Sequence, residues 1–574
     1  MNNREVSNIL ADIARIMELE GDDTYRIRAY RNAARSVGSL KGDINEYHRK
    51  GRLQEIPGVG KSIGELIAEL LETGRSPFYE TLKKEIPPEL FEVLEVPGIG
   101  RRTAVKVHRA LGVSSIHEFR QAAIMHRIRK LKGMGEKSER KILESIERFQ
   151  KKEKETRIPL YRAMGVASEA LEYLKDCGLE HALVAGSVRR YVPMVSDINI
   201  IGVSGSQQKA VDCFIRSPLI AAVKESSTDR AAVVTRYHAV STLELVDPEN
   251  WGLHMVFATG SEKHLEDLVD FAAQRGISLS HEGYVDAVTL KRTEFKAEKE
   301  LYSALGLEFV PPEMREGHGE VKAAAEHALP GLVQRNDIRG DFHVHSDWSD
   351  GSGSIQDMAM AARALGYEYI AICDHSRSLA IAHGLSLERL RAQMEEIDRI
   401  NDTLEGFTVL KGSEVDIKPD GTLDLPDEVL EELDIVVASV HTSLRQEPDV
   451  MTGRVVRALE NPYVTILGHP TARILGGREP ISIDIDEIIW IAKANGKVLE
   501  LNAYPSRLDL SDDNVRKAID ANVMISIDTD AHSPFELDFM EFGIHIAQRG
   551  WAPRDKVLNT LTYDGLLKFL SAGA

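Results

Sequence analysis

The sequence predicts a multidomain chain: an all-α front, a mixed α/β middle and a C-terminal distorted (β/α)7 barrel. Three observations carry that prediction. In the stretch Asp341–Gly351, DFHVHSDWSDG, a short apolar run ends in two histidines at alternate positions, His343 and His345. From there to the C-terminus, apolar strand-like runs alternate with helix-length segments, and nearly every run ends in a metal-ligand residue type. In the front part, a hydrophobic-x-Gly-hydrophobic-Gly turn opens a helical pattern three times.

At 574 residues the chain has room for three to five domains, each with its own core. No apolar stretch reaches membrane-spanning length, and MNNREVSNIL lacks a signal-peptide pattern, so no membrane partner is expected. Three scattered cysteines, Cys177, Cys213 and Cys373, predict no disulfide framework and a reducing, cytoplasmic setting; a monomer is expected. The net charge of −19 would exclude nucleic acid were it uniform. It is not: residues 339–574 hold 22 Lys+Arg against 40 Asp+Glu, net −18, whereas residues 101–155 hold 16 against 7, net +9.

Taken in order, residues 1–50 read as helices, with an apolar stripe over Val6–Leu19 and bases alternating with aromatics over Tyr25–Val37. Then come LQEIPGVGKSIGELIAELLETG, LEVPGIGRRTAVKVHRALG and LKGMGEKSERKILESIERF. Glycines let backbone approach closely, and the exposed N–H groups of a helix N-terminus bind phosphate. These units resemble helix-hairpin-helix motifs, which hold the DNA backbone without reading sequence. The candidate DNA contacts are Gly58, Gly60 and Lys61, then Gly98, Gly100, Arg101 and Arg102, then Gly133 and Gly135.

Residues 156–255 turn to mixed α/β. HALVAGSVRRYVPMVSDINIIGV reads as strand, Gly-Ser turn, basic pair and strand, and a second Gly-Ser turn follows at Gly260-Ser261. From Asp341 on, the runs end at Asp374-His375, Glu414, His441, His469, near Asn502, and at Asp530 and His532. They are separated by helical segments such as Ile355–Leu365, Leu387–Asn401 and Ile485–Ala494. Alternation of strand and helix means a parallel sheet, and polar residues at the same end of seven strands mean a barrel with its site on the C-terminal rim. Six His, two Asp and one Glu then converge: His343, His345, Asp350, His375, Glu414, His441, His469, Asp530 and His532. Nitrogen and oxygen ligands without cysteine fit several Zn²⁺, Mn²⁺ or Fe ions that orient a phosphate and activate water, pointing to phosphoester hydrolysis. His383 and His545 fall away from strand ends and are read as structural.

With HxH…SDG, DH, E, H, H and DxH all present, residues 341–574 resemble the PHP (polymerase and histidinol phosphatase) domain. The resemblance implies three metals: one on His343, His345, Glu414 and Asp530; one on Glu414, His441 and His469; one on Asp350, His375 and His532. Together, G-S-x-R-R…D-x-[DN] and T-G-S are similar to the palm of family X DNA polymerases, which resemble DNA polymerase beta. The implied organisation is an 8-kDa-like helix-hairpin-helix domain over 1–85, fingers-like helices over 86–155, palm over 156–255, thumb over 256–318, a linker over 319–338 and the PHP domain over 339–574.

The palm departs from that pattern. The family holds two Mg²⁺ or Mn²⁺ with three carboxylates, and here the pair reads Asp197-Ile198-Asn199, with Thr242 where the third Asp is expected. Glu244 lies two residues further on, and Leu265 stands where the family shows Asn. Gly186, Ser187, Arg190, Gly260 and Ser261 could still take a triphosphate, and Asp197 is the surviving catalytic carboxylate. In the first hairpin, the Schiff-base lysine of relatives with lyase activity falls on Leu66. Three readings stay open: a 3′-5′ exonuclease or 3′-end processor on gapped, nicked or recessed DNA, with Glu414, His343, His345 and Asp530 at its centre; a gap-filling polymerase taking dNTP with an editing domain; or a phosphatase on a small ester.

Overall fold

The computed structural model describes residues 1–572 except 2, 21–22, 39, 41–42, 86–89, 91–92, 94–95, 97–98 and 154–156. It divides into two compact units, Met1–Thr156 and Arg157–Ala574. Among the described residues, no helix is long and apolar enough to cross a membrane.

The described residues of the first unit form helices and turns. Helices α1 (Asn3–Glu20) and α2 (Thr24–Gly38) pack together, and the three Gly turns lead into α3 (Lys61–Thr73), α4 (Arg101–Leu111) and α5 (Glu136–Glu153). One apolar core runs from Val6 and Leu10 through Leu66 and Ile67 to Phe119 and Ile146. Leu66 is therefore a core residue of α3. The first glycine of two turns needs a left-handed backbone, with φ of 79° at Gly58 and 74° at Gly133, which a residue with a Cβ adopts only at a cost.

The second unit opens with a five-stranded sheet of β1 (His181–Ala185), β2 (Asp197–Val203), β3 (Ile220–Ser226), β4 (Arg230–Thr235) and β5 (Val240–Leu245), in the order β1-β2-β5-β4-β3. Only β2 and β5 pair in parallel. Helices α6 (Leu160–Lys175) and α7 (Gln207–Ile215) bury apolar faces in the core of this sheet. Here one expectation is corrected: Cys177, just past α6, and Cys213, on α7, form a disulfide with Cα atoms 5.6 Å apart. A separation of 36 residues carries no sign of this pairing; the packing of α6 and α7 creates it. Helices α8 (Trp251–Thr259) and α9 (Glu262–Ala273) follow, then a small antiparallel sheet over 277–293. The stretch expected to link this region to the barrel packs down: Glu320 is buried and its carboxylate lies 2.7 Å from His264 Nδ1.

The barrel has seven parallel strands in sequential order: β6 (Gly340–Val344), β7 (Tyr369–Ile372), β8 (Thr408–Asp416), β9 (Ile435–Ser439), β10 (Ile466–Leu467), β11 (Val498–Asn502) and β12 (Ile525–Asp528). A parallel bridge between Val344 and Ala531 brings the last strand back to the first. Helices at Ile355–Ala364, Leu387–Asn401 and Ile485–Ala494 fall where the sequence periodicity puts them. A large apolar layer joins strands to outer helices, and Phe342, Tyr369, Ile435, Ile466 and Val498, with Leu558 and Leu566, fill the end where the strands begin. The other end, where the strands finish, carries the ligand-type side chains.

Charged side chains tie the parts of this unit together. Arg189 pairs with Glu298 at 2.5 Å, and Glu298 also takes Arg315, which is fully buried. Arg190 pairs with Glu316 at 2.8 Å, and Glu316 is shared with Arg549 of helix α10 (Met540–Arg549), which also holds Asp512. On the same helix, His545 stacks on Tyr191 with ring centroids 3.5 Å apart.

Candidate metal centre

The ligand-type side chains cluster toward the C-terminal ends of the strands and the loops that follow them. His343 is the penultimate residue of β6, and His345 follows the strand directly. The Ser-Asp-Gly turn folds back over them: the Gly351 N–H donates to Ser346 O at 3.0 Å, and a Cβ at Gly351 would sit 2.7 Å from the Ser346 backbone. That close approach puts Asp350 beside His345, 3.9 Å away. His375, Glu414, His441, His469, Asp530 and His532 arrive from β7, β8, β9, β10 and β12. Asp530 and His469 have left-handed backbones, φ 54° and 25°, an unusual conformation held in place by their surroundings.

The side chains gather into three groups, each with one ligand atom per residue and all such atoms within 4.8 Å: His345, Asp350, His375 and His532; His343, His345 and Asp530; His375, Glu414 and His441. Glu414 is central, lying 2.7 Å from His375, 3.1 Å from His441, 2.9 Å from His469 and 3.6 Å from His343. The partition differs from the expected one in that His345 joins two groups and His375 sits beside Glu414; His469 reaches only Glu414. His383 and His545 lie outside all three.

Buried polar atoms are normally hydrogen-bonded. Here His343 Nε2, both nitrogens of His345, His375 Nδ1, His469 Nδ1 and Glu414 Oε2 are buried without a well-aligned hydrogen bond, although His375 Nδ1 and Glu414 Oε2 lie 2.7 Å apart. Six such atoms at one spot fit divalent cations, and the donor set of imidazole and carboxylate suits them. Electrostatics agree. Against burial, Glu414 and Asp350 push His375 up to about 10. Glu414 and Asp416 raise His441 to about 9, and Asp350 raises His532 to about 9. Burial, then His532 and His375, lowers His345 to about 3; burial, then Arg507, lowers His469 to about 4. Carboxylates thus surround imidazoles that a divalent cation would need in their neutral form, so binding there would compete with protons.

Among the residues that hold this set from behind, Asp374 and Asn502 fall at run ends in the sequence, whereas Glu500 and Asp416 carry no such mark. Glu500 lies 2.6 Å from His343 Nδ1, which leaves Nε2 to face the centre. Asp416 lies 2.8 Å from His441 Nδ1, and Asn502 donates to Glu500 and Asp530. Asp374 accepts from Ser346, Ser349 and Gln393. Deeper, burial and then Asp528 push Asp341 up to about 8. A charged residue inside the apolar run VLELN, and the E-x-D spacing of Glu414 and Asp416 on one strand face, were the available signals.

The second expected site is differently made. Asn199 stands opposite Thr242 across β2 and β5 and donates to Asp197 Oδ2 at 3.0 Å; Glu244 is opposite Ile201. Gly186 lies against Asn199, and Ser187 Oγ is buried without a partner. Arg190 is held by Glu316 and donates to Thr259 O at 2.6 Å, while Ser261, next to Gly260, caps α9 by accepting from His264 N. Among the hairpins, Gly60 and Gly100 precede α3 and α4 with no side-chain cap and no acid in the first turn, and Lys61 is the first residue of α3. After Gly135, α5 begins with Glu136 and includes Glu139, which accepts from Arg129 N. Gly98 and the side chains of Arg101 and Arg102 lie outside the described residues.

Comparison with known proteins follows these divisions. Family models match as a helix-hairpin-helix domain over residues 1–76, a SAM-like helix-hairpin-helix tandem over 90–148, a DNA polymerase beta thumb over 254–316 and a PHP domain over 341–504. The chain is 36% identical over 575 residues to the protein named DNA polymerase/3′-5′ exonuclease PolX of Bacillus subtilis, covering 99% of both. A protein of Thermoanaerobacter sp. named "Probable phosphatase" is 33% identical over 232 residues, 38% of this chain and 89% of its own length. One of Acetivibrio thermocellus with the same name is also 33% identical over 232 residues, covering 90% of its length. With one relative matched end to end and its parts matched in the same order, the chain belongs to the family X DNA polymerases that carry a C-terminal PHP domain.

Proposed function

We propose that this protein is a metal-dependent 3′-5′ exonuclease and 3′-end-processing phosphoesterase of DNA repair, acting on gapped, nicked or recessed ends. The observation that carries the reading is the cluster of unpartnered, buried imidazole nitrogens around Glu414. His343, His345, Asp350, His375, Glu414, His441, His469, Asp530 and His532 would hold three ions, Mn²⁺ or Zn²⁺. Such ions supply Lewis acidity toward a phosphodiester and a water nucleophile at neutral pH. The protein's own part is positional: Glu500 and Asp416 fix which nitrogen of His343 and His441 faces the centre, and Asn502 steadies Asp530. Gly60 and Gly100, with open helix N-termini behind them, hold the DNA backbone. Nucleotidyl transfer is weak or lost, because Asn199 and Thr242 leave Asp197 the single carboxylate of the expected three.

The test is degradation of a recessed 3′ end by purified protein with Mn²⁺. His343→Ala and Glu414→Ala should abolish it and leave DNA binding intact; undiminished degradation in both excludes the barrel as the nuclease. A second reading is favoured by the barrel-length relatives named as phosphatases. Release of phosphate from a small monoester, with no cleavage of DNA, would establish that reading instead.

A further inference from the structure

Asp530 turns its two carboxylate oxygens opposite ways. Oδ1 faces the metal groups, 3.2 Å from His345 Nε2 and 3.8 Å from His343 Nε2. Oδ2 lies 3.1 Å from Asn502 Nδ2 and 3.4 Å from Arg507 Nε. Arg507, on the loop after β11, thus stands directly behind a ligand-type side chain. Its place is fixed. The Arg507 N–H donates to Tyr504 O at 2.7 Å, and Asn502 Oδ1 accepts from Tyr504 N at 3.1 Å. From the loop after β10, Arg473 Nε donates to Arg507 O at 3.0 Å, and the Leu475 N–H donates to Ser506 O at 2.7 Å. That second loop also carries Arg478, held by Nε to Ala472 O at 2.9 Å and by paired backbone bonds with Ile474.

Both guanidiniums have donors to spare. Among the described residues, Asp530 is the one carboxylate within ion-pair reach of Arg507, and Arg478 has none. The Nη groups of both make no hydrogen bond and are not buried. The two charges also repel: burial, then Arg507, holds Arg478 below the usual arginine range, and the opposing charge of Asp509 is buried and bonded to Thr471. Like charges on two loops bonded to each other call for an anion. Asp530 does not need Arg507 for balance once a divalent cation shares its charge. The planar fork of a guanidinium fits phosphate oxygens.

We propose that Arg507 holds the phosphate to be hydrolysed and Arg478 the next phosphate on its 5′ side, so that the pair forms an anion track leading off the metal groups. The order follows from contact: Arg507 touches Asp530, whereas Arg478 touches no ligand-type side chain. A track for two phosphates favours a polynucleotide over a small monoester, which has one to offer. This inference rests on the exonuclease reading above.

The experiment compares two oligodeoxynucleotides in Mn²⁺ by release of the first 3′ nucleotide. One has ordinary linkages; the other has an uncharged methylphosphonate at the linkage next to the one cut first. In the wild-type protein the uncharged linkage should raise KM about ten-fold. In Arg478→Gln the ordinary oligonucleotide should already show the higher KM, and the uncharged linkage should add nothing. For Arg507 the readout is calorimetric binding of inorganic phosphate to the Mn²⁺-loaded protein, with metal analysis of the same sample. Arg507→Gln should weaken phosphate binding about ten-fold with metal content unchanged. An uncharged linkage without effect in the wild type, or one whose effect survives Arg478→Gln, would overturn the track and leave the exonuclease standing. So would phosphate binding that Arg507→Gln keeps, or that falls together with metal content. If the wild-type protein degrades neither oligonucleotide, the exonuclease reading falls and the track with it.

Discussion

The sheet region and the barrel rim both gather polar and charged side chains, yet they partner them differently. On the rim, six buried polar atoms make no well-aligned hydrogen bond and meet one another and the other ligand side chains. In the sheet region, Asn199 answers Asp197, Arg190 answers Glu316 and Arg189 answers Glu298, and Ser187 Oγ is the buried candidate-site atom left without a partner. A site that must bind cations keeps lone pairs unpaired at a cost in stability; a site released from that demand satisfies them internally. That difference is what the proposed division of labour, with hydrolysis at the barrel, requires.

Breaking that contrast at its strongest point, Glu414→Gln should reduce Mn²⁺-dependent DNA degradation to background, read by gel, while DNA affinity stays. One layer back, Glu500→Gln should weaken metal binding about 10- to 100-fold, measured by calorimetry or metal analysis; unchanged affinity would deny Glu500 its role. The hairpins sharpen the contrast from another side. Lys61→Glu should lower DNA affinity about equally for all sequences and reduce the salt slope by about one, with cleavage of a saturating substrate unaffected.

A smaller effect lies at the joint between the regions. Burial lowers the His545 pKa, but Glu313 and Glu541 outweigh it and raise the group to about 9. A folded value above the unfolded one, about 6.5, gives stability that is whole below pH 6.5 and fades as pH climbs toward 9. The shift is worth at most about 3 kcal/mol. The gap in thermal midpoint between wild type and His545→Gln should therefore narrow from pH 6 to pH 9; a constant gap would refute the charge pairing. Smallest of all, Asp197→Ala should leave degradation unchanged.

The sequence showed the barrel more clearly than its supports. HxH, DH and DxH repeat at strand ends, so seven strands and nine side chains could be placed by periodicity alone. Glu500 was harder: it reads as one acid in an apolar run, and its role depends on β11 lying between β10 and β12. The fate of Arg190 was not legible, since its partners Glu316 and Arg549 are 126 and 359 positions away. Likewise nothing local announces that Cys177 meets Cys213. Repeated short motifs survive reading in one dimension, whereas pairings across the fold need the packing.

The shared carboxylate of Glu316 has a practical consequence for anyone dissecting this molecule. It answers a guanidinium on each side of the natural place to cut, Arg190 before it and Arg549 far beyond. A fragment ending near residue 318 would keep the acid and lose half its counter-charge, and a fragment starting near 339 would carry Arg549 with Asp512 alone. Separately expressed halves would thus differ from the parent in more than reach, and mixing them would be a fairer control than either in isolation.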